Sequence, residues 1–134
     1  MKYQKINGHD FYNMVVNASN RLLEESDFVN ALNVFPVPDG DTGTNMSMTF
    51  KAAVKEIENL NSESIGETSK KLAKGALMGA RGNSGVILSQ ILRGMCSVIG
   101  KTEKDITTKI FAKALVEGAG VAYKAVTQPK EGTI

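Results

Sequence analysis

The chain has 134 residues, of which 42% are apolar and 22% charged, and its formal net charge is +2. This length suits one domain with a buried core, and scattered lysines and arginines argue against a nucleic-acid partner. The single cysteine excludes an internal disulfide, the N-terminus lacks a signal-peptide core, and no apolar run is long enough to span a membrane. We therefore expect a cytoplasmic protein without a transmembrane segment.

The first predicted element is a helix that follows the turn signal Asn7-Gly8. Beyond it, apolar residues recur at alternating spacings of three and four, which is the pattern of a helix with one buried face. These residues are Phe11, Met14, Val15, Ala18 and Leu22. Ser26 and Asp27 can then cap a short second helix that ends near Leu32.

A proline-rich loop follows over residues 34–43, and the segment after it has two possible interpretations. Met46, Met48 and Phe50 alternate as in a strand, and the preceding Asp-Gly pair could form a hairpin turn. Farther along, the apolar residues keep helical spacing as far as Leu60. We therefore predict a helix over residues 44–60.

Two further helices are predicted next. Ser64 and Glu67 have the spacing of a capping box, and the helix that they begin extends to Leu77. A second glycine-rich segment, residues 79–85, leads into a strongly apolar helix that ends at Gly100. Both glycine-rich segments of the chain therefore immediately precede helices.

A last helix is predicted to begin at Asp105 and to end before Pro129. With no convincing strand, these short-looped helices indicate an all-α bundle formed by one domain over residues 1–134. Residues 131–134 resemble the opening of a further element. We therefore expect the chain to be the N-terminal part of a longer domain, truncated at its C-terminus.

Asp39 and Asp41 are the strongest candidates for metal binding, because they place two carboxylates in a tight turn. An EF-hand is excluded, since its fifth position would be Gly43 and its twelfth, which requires a bidentate Glu, is Phe50. Magnesium favours one or two carboxylates together with substrate phosphates, which matches this pair. An ordinary loop with Asx-turns is the simpler alternative.

The residues after the acidic pair could bind phosphate at the start of a helix. Thr42, Thr44 and Asn45 offer polar side chains, and Gly43 leaves the backbone accessible. Bare N–H groups at a helix N-terminus attract anions. The same three polar residues are also ordinary helix N-caps, and the two roles are compatible.

The second glycine-rich segment, residues 79–85, is neither a Walker A motif nor a Rossmann fingerprint. It lacks the required Lys and does not follow a strand. Close helix packing would explain its glycines, but the neighbouring Asn83 and Ser84 favour a backbone that makes room for a ligand. Arg81 could pair with a phosphate.

With these two motifs the chain resembles the nucleotide-binding domain of the dihydroxyacetone kinase family. The motifs are Pro-Val-Pro-Asp-Gly-Asp-Thr-Gly-Thr-Asn-Met at residues 36–46 and Gly-Ala-Arg-Gly-Asn-Ser-Gly-Val-Ile-Leu-Ser-Gln at residues 79–90. Within the family, the chain is most similar to the N-terminal domain of the bacterial fatty acid kinase ATP-binding subunit. The similarity covers essentially the whole chain.

The resemblance implies a barrel of antiparallel helices that holds ATP and two magnesium ions at one rim. The metal ligands, catalytic through the metal, would be Asp39 and Asp41. The residues that line the phosphates would be Thr42, Gly43, Thr44, Asn45, Asn83, Ser84 and Gly85. The implied reaction is phosphoryl transfer from ATP to an acceptor, either a fatty acid carboxylate presented by an acyl-binding partner protein or a small dihydroxyacetone-like molecule. A homodimer formed through C-terminal regions is also possible.

The sequence departs from the family pattern at one metal position. Dihydroxyacetone kinases carry a third Asp five residues before the acidic pair, where this chain has Val34, and the adjacent Asn33 is a candidate substitute. Two other functions therefore stay open. One is a non-catalytic nucleotide-binding regulatory or scaffold module, and the other is phosphate-ester hydrolysis, which the lack of an evident water-activating base disfavours.

Overall fold

The structure, a computed structural model, describes residues 5–33 and 38–126. These residues form six helices and one small ribbon, so the predicted all-α bundle is confirmed. The helices are α1 (Gly8–Glu24), α2 (Ser26–Leu32), α3 (Thr42–Ile57), α4 (Ile65–Gly79), α5 (Gly82–Ile99) and α6 (Thr108–Ala125), and the strands are β1 (Lys5–Asn7) and β2 (Asp105–Thr107). No helix in the described ranges is both long and apolar enough to cross a membrane.

Some sequence predictions fall on residues that the structure does not describe. They concern Pro36 in the loop before the acidic pair, the metal-position residue Val34, and the end of the last helix near Pro129. The helix predicted over residues 44–60 is confirmed against the alternative strand, but it begins two residues earlier than predicted, at Thr42, and ends three residues earlier, at Ile57.

The ribbon corrects the sequence analysis, which predicted no strand and began the last helix at Asp105. β1 and β2 pair antiparallel with Ile6 opposite Ile106, and both isoleucines are buried. α6 accordingly begins at Thr108, after Thr107, whose hydroxyl accepts a hydrogen bond from the Ile110 N–H at 3.2 Å. Strands of three residues that lie far apart in the sequence leave no periodic signal.

α1 buries a slightly different face from the predicted one. Phe11 and Val15 are buried as predicted, whereas Met14 and Ala18 are exposed and Ser19 is buried. Apolar spacing did not separate these faces because Met14 and Ala18 lie at the edge of the same helical stripe.

Two predicted caps have different outcomes. The Ser64 hydroxyl accepts a hydrogen bond from the Glu67 N–H at 3.1 Å, which confirms half of the predicted capping box. The reciprocal bond is replaced, because the Glu67 carboxylate accepts from the Ser62 hydroxyl at 3.3 Å. The predicted cap by Ser26 and Asp27 is wrong, since α2 begins at Ser26 itself without a side-chain cap.

The order of the helices places two helix starts at one end of the bundle. α3 contacts α1, α2, α4 and α5, and α5 also packs along α6. α4 runs back from the end of α3, and residues 80–81 alone connect it to α5. The starts of α3 and α5 therefore lie together. The side chains that are almost completely buried in the core include Ile57, Ile65, Leu72, Ile99 and Ile106.

Candidate functional site

The start of α3 is held by side chains from outside the helix. Asp41 is the N-cap residue, but its side chain makes no capping hydrogen bond. Instead, Asn33 Oδ1 accepts hydrogen bonds from the N–H groups of Asp41 and Thr42, at 3.1 Å and 3.3 Å. Asn30 Oδ1 accepts from the Thr44 N–H at 3.1 Å, and its Nδ2 donates to the Thr44 hydroxyl at 3.0 Å.

These bonds correct two expectations about the start of α3. Its caps are Asn30 and Asn33, whereas the sequence predicted Thr42, Thr44 and Asn45. Two N–H groups that were expected to be bare, those of Thr42 and Thr44, already have protein acceptors. The start of α3 therefore has fewer backbone donors for a phosphate than the sequence suggested.

Asp39 and Asp41 lie immediately before α3, on either side of Gly40. Both side chains are exposed, and Gly40 has a φ of +67°, a left-handed conformation that suits glycine. The pKa of Asp39 is raised above its ordinary value, chiefly by a hydrogen bond with the Asp41 side chain. Loss of solvent and the charge of Asp41 act in the same direction.

This closeness of two carboxyl groups is the feature that suits a divalent cation. A bound cation would compensate the two negative charges and so remove their mutual repulsion. In the described part of the chain, no group of three or more His, Cys, Asp or Glu side chains could hold a metal. Asn33 is not a ready third ligand, because its Oδ1 already accepts two backbone hydrogen bonds.

The start of α5 differs from that of α3. Arg81 is the N-cap residue, and its side chain makes no capping hydrogen bond. The first intrahelical bond of α5 runs from the Gly85 N–H to the Arg81 carbonyl at 3.1 Å. The N–H groups of residues 82–84 therefore precede the hydrogen-bonded ladder, and such groups are suited to binding an anion.

Thr49 joins the two helix starts. Its side chain is completely buried, and its hydroxyl donates to the Asn45 carbonyl at 2.8 Å while accepting from the Arg81 N–H at 3.0 Å. A Cβ atom at Gly82 would lie against the Asn45 side chain, and one at Gly85 would lie against the Thr49 hydroxyl. The two glycines thus let α5 begin directly beside α3.

The predicted site residues differ in accessibility. Asp39, Asp41, Thr44 and Asn83 are exposed, Asn45 is half-buried, and Thr42, Gly43, Ser84 and Gly85 are buried. Gly43 lies against α2, where a Cβ atom would meet the Ser26 carbonyl. The structure thus brings the two predicted segments together, but it gives Gly43 and Gly85 packing roles at helix contacts.

Sequence reasoning missed Asn30 and Thr49 and misjudged Asn33. A signal for the two asparagines was present, because residues three apart lie on the same side of a helical turn. Thr49 had a comparable signal, since it lies one helical turn after Asn45 and can reach the carbonyl of that residue. Neither signal identifies the partner in another segment.

The fold and this geometry define an all-α domain in which an acidic pair and an uncapped helix start lie at one end of the bundle. The chain belongs to the DAK2 domain family, whose model matches residues 36–134. It is therefore a dihydroxyacetone kinase-like domain of a kinase-related family.

Two curated relatives are similar over 130 residues, or 97% of the chain, each at 52% identity. They are an uncharacterized protein of Staphylococcus epidermidis and an uncharacterized protein of Staphylococcus aureus. The aligned region covers 23% of the first relative and 24% of the second, so the chain spans about a quarter of their length.

Proposed function

We propose that this domain binds ATP with magnesium where α3 and α5 begin, and that it transfers the γ-phosphate to an acceptor held by a partner protein. The observation that supports this most strongly is the junction itself. Asp41 lies one turn before Asn45, to whose N–H its carbonyl is hydrogen-bonded at 2.9 Å, and the Asn45 side chain borders Gly82. Asn45 thus lies between the acidic pair and the start of α5.

The two halves of the junction suit different parts of a magnesium nucleotide. Asp39 and Asp41 would hold the cation, or two cations, and the N–H groups of residues 82–84 would receive phosphate oxygens. Asn83 is exposed and Ser84 lies one residue deeper, so the loop could contact the nucleotide through both side chain and backbone. The start of α3, residues 42–45, would lie alongside the phosphates and contribute its positive helix end.

Phosphoryl transfer requires few further functional groups from the protein. It depends on positioning and on neutralising charge on the transferred group, without a covalent intermediate. Bound magnesium would supply most of that neutralisation. The chain's own residues would fix the phosphates against the α5 start, where aligned N–H groups stabilise negative charge without having to reorient.

The acceptor that we propose is a fatty acid carboxylate presented by a separate acyl-binding protein. It is supported by the resemblance of both glycine-rich motifs to the ATP-binding subunit of bacterial fatty acid kinase. A small dihydroxyacetone-like molecule is the other acceptor that family membership suggests. The domain would act in the cytoplasm, where ATP and magnesium are available.

A non-catalytic nucleotide-binding module is the second candidate. It is favoured by one departure from the family pattern, Val34 at the position of the third metal-binding Asp, together with the engagement of Asn33 Oδ1 by backbone donors. With only two carboxylates, such a site could bind a magnesium nucleotide without transferring its phosphate. A partner protein would then bind the nucleotide-loaded form of the domain.

A phosphate-transfer assay separates the two candidates. The chain is incubated with γ-labelled ATP, magnesium and an acyl-binding protein loaded with palmitate, and labelled acyl phosphate is separated from ATP and inorganic phosphate by chromatography and identified by the release of its label on treatment with hydroxylamine. We expect labelled product that depends on magnesium and on the acyl-binding protein, with free dihydroxyacetone tested as the alternative acceptor. Magnesium-dependent nucleotide binding without transfer to either acceptor would contradict the kinase and identify the regulatory module.

A further inference from the structure

Asn30 connects α2 to the proposed site without belonging to the acidic pair or the phosphate loop. None of the residues of α2 is buried, so its side chains contribute little to the apolar core. Two other kinds of contact hold α2 against α3. The Asn30 amide forms hydrogen bonds with both the N–H and the hydroxyl of Thr44, and the Ser26 backbone packs closely against Gly43.

We propose that Asn30 is a positioning residue of the nucleotide site, an inference that rests on the function proposed above. Its two bonds fix Thr44, which lies in the first turn of α3 between Asp41 and Asn45. That turn is closed by the bond from the Asn45 N–H to the Asp41 carbonyl. Holding Thr44 therefore holds the acidic pair at one end of the turn and the contact with Gly82 at the other.

An amide is chemically matched to this task. Asn30 presents one acceptor and one donor from a single planar group, and Thr44 offers an N–H and a hydroxyl oxygen in return. An aspartate at this position would keep both bonds, because the Thr44 hydroxyl can turn and donate to the carboxylate. A serine would keep only an acceptor for the N–H, and an alanine would keep neither bond.

The test measures the affinity of a non-hydrolysable ATP analogue by calorimetry over a series of magnesium concentrations. The variants are Asn30→Ala, Asn30→Ser and Asn30→Asp, with Asn17→Ala on the exposed side of α1 as the matched control. Two lost hydrogen bonds predict an affinity about tenfold weaker for Asn30→Ala. A correspondingly higher magnesium concentration should be needed for half-saturation, whereas Asn17→Ala should stay within about twofold of the wild type. Asn30→Asp keeps both bonds and should therefore retain the wild-type protection of the Thr44 amide.

Hydrogen exchange of the Thr44 amide, followed by NMR, provides a readout that does not depend on nucleotide. We expect faster exchange in Asn30→Ala and an unchanged rate in Asn17→Ala. If Asn30→Ala does not fold, Asn30→Ser replaces it, with an intermediate loss of affinity expected.

Wild-type affinity and magnesium dependence in a folded Asn30→Ala or Asn30→Ser variant would overturn the positioning role. A wild-type chain that binds no nucleotide would overturn the proposed function and with it this role. Faster Thr44 exchange in the variant would then identify Asn30 as a helix cap only.

Discussion

Replacing Asp39 and Asp41 together by asparagine should abolish magnesium-dependent nucleotide binding and leave the fold intact. Mutation of a group that only orients a metal ligand typically weakens metal binding by about 10–100-fold. Removing the ligands themselves should therefore weaken it by about a hundredfold or more. Both side chains are exposed, and Asp41 does not cap α3 through its side chain, so stability should not fall. The hydrogen bond and the charge of Asp41 raise the pKa of Asp39, and asparagine at both positions removes that repulsion.

The measurement is calorimetric titration with an ATP analogue, with and without magnesium, beside thermal unfolding of each variant. Asp27→Asn is the matched control, because Asp27 is an exposed aspartate on the neighbouring helix α2. A folded double variant that still binds nucleotide in a magnesium-dependent way would show that the acidic pair is not part of the metal site.

Gly85→Ala should destabilise the domain and separate the two helix starts. The added methyl group would lie against the Thr49 hydroxyl, which is buried and hydrogen-bonded on both sides, so it has no room to move. Overpacking of this kind lowers the free energy of unfolding by about 1–3 kcal/mol. Nucleotide affinity should fall as well, because the α5 start would shift away from Asn45.

Gly120→Ala is the matched control for this substitution. It is also a glycine within a helix, but a Cβ atom at Gly120 would have no neighbour within 4 Å. Alanine there should raise the free energy of unfolding by about 0.4–1 kcal/mol, through the reduced entropy of the unfolded chain. Urea unfolding of both variants checks the pair, and equal stability would mean that α5 does not depend on the close contact at Gly85.

The helices could be predicted from the sequence because their signals are local. Apolar spacing located the helix after Asn7, and the Ser64–Glu67 spacing located the start of α4. The helical interpretation of residues 44–60 was correct because the pattern beyond Phe50 outweighed three alternating residues. The ribbon between Ile6 and Ile106 was not predictable, since its pairing is a long-range contact.

The site was predictable in its segments but not in its contacts. The acidic pair and the second glycine-rich segment are recognisable motifs, and the fold places their helices side by side. The predicted capping residues were wrong at the start of α3, because the caps come from Asn30 and Asn33, which precede the loop. The choice between α3 and α5 as the better anion site depends on those bonds and is visible only in the folded chain.

Binding of the manganese complex of ATP, followed by NMR line broadening, tests most directly whether a metal nucleotide occupies the junction of α3 and α5. Manganese accepts the same carboxylate and phosphate ligands as magnesium and broadens signals close to it. We expect selective loss of the amide signals of residues 39–45 and 82–85, while those of Asn61 and Ser62, which follow the far end of α3, stay sharp. Broadening centred on that far end, or none at all, would contradict it.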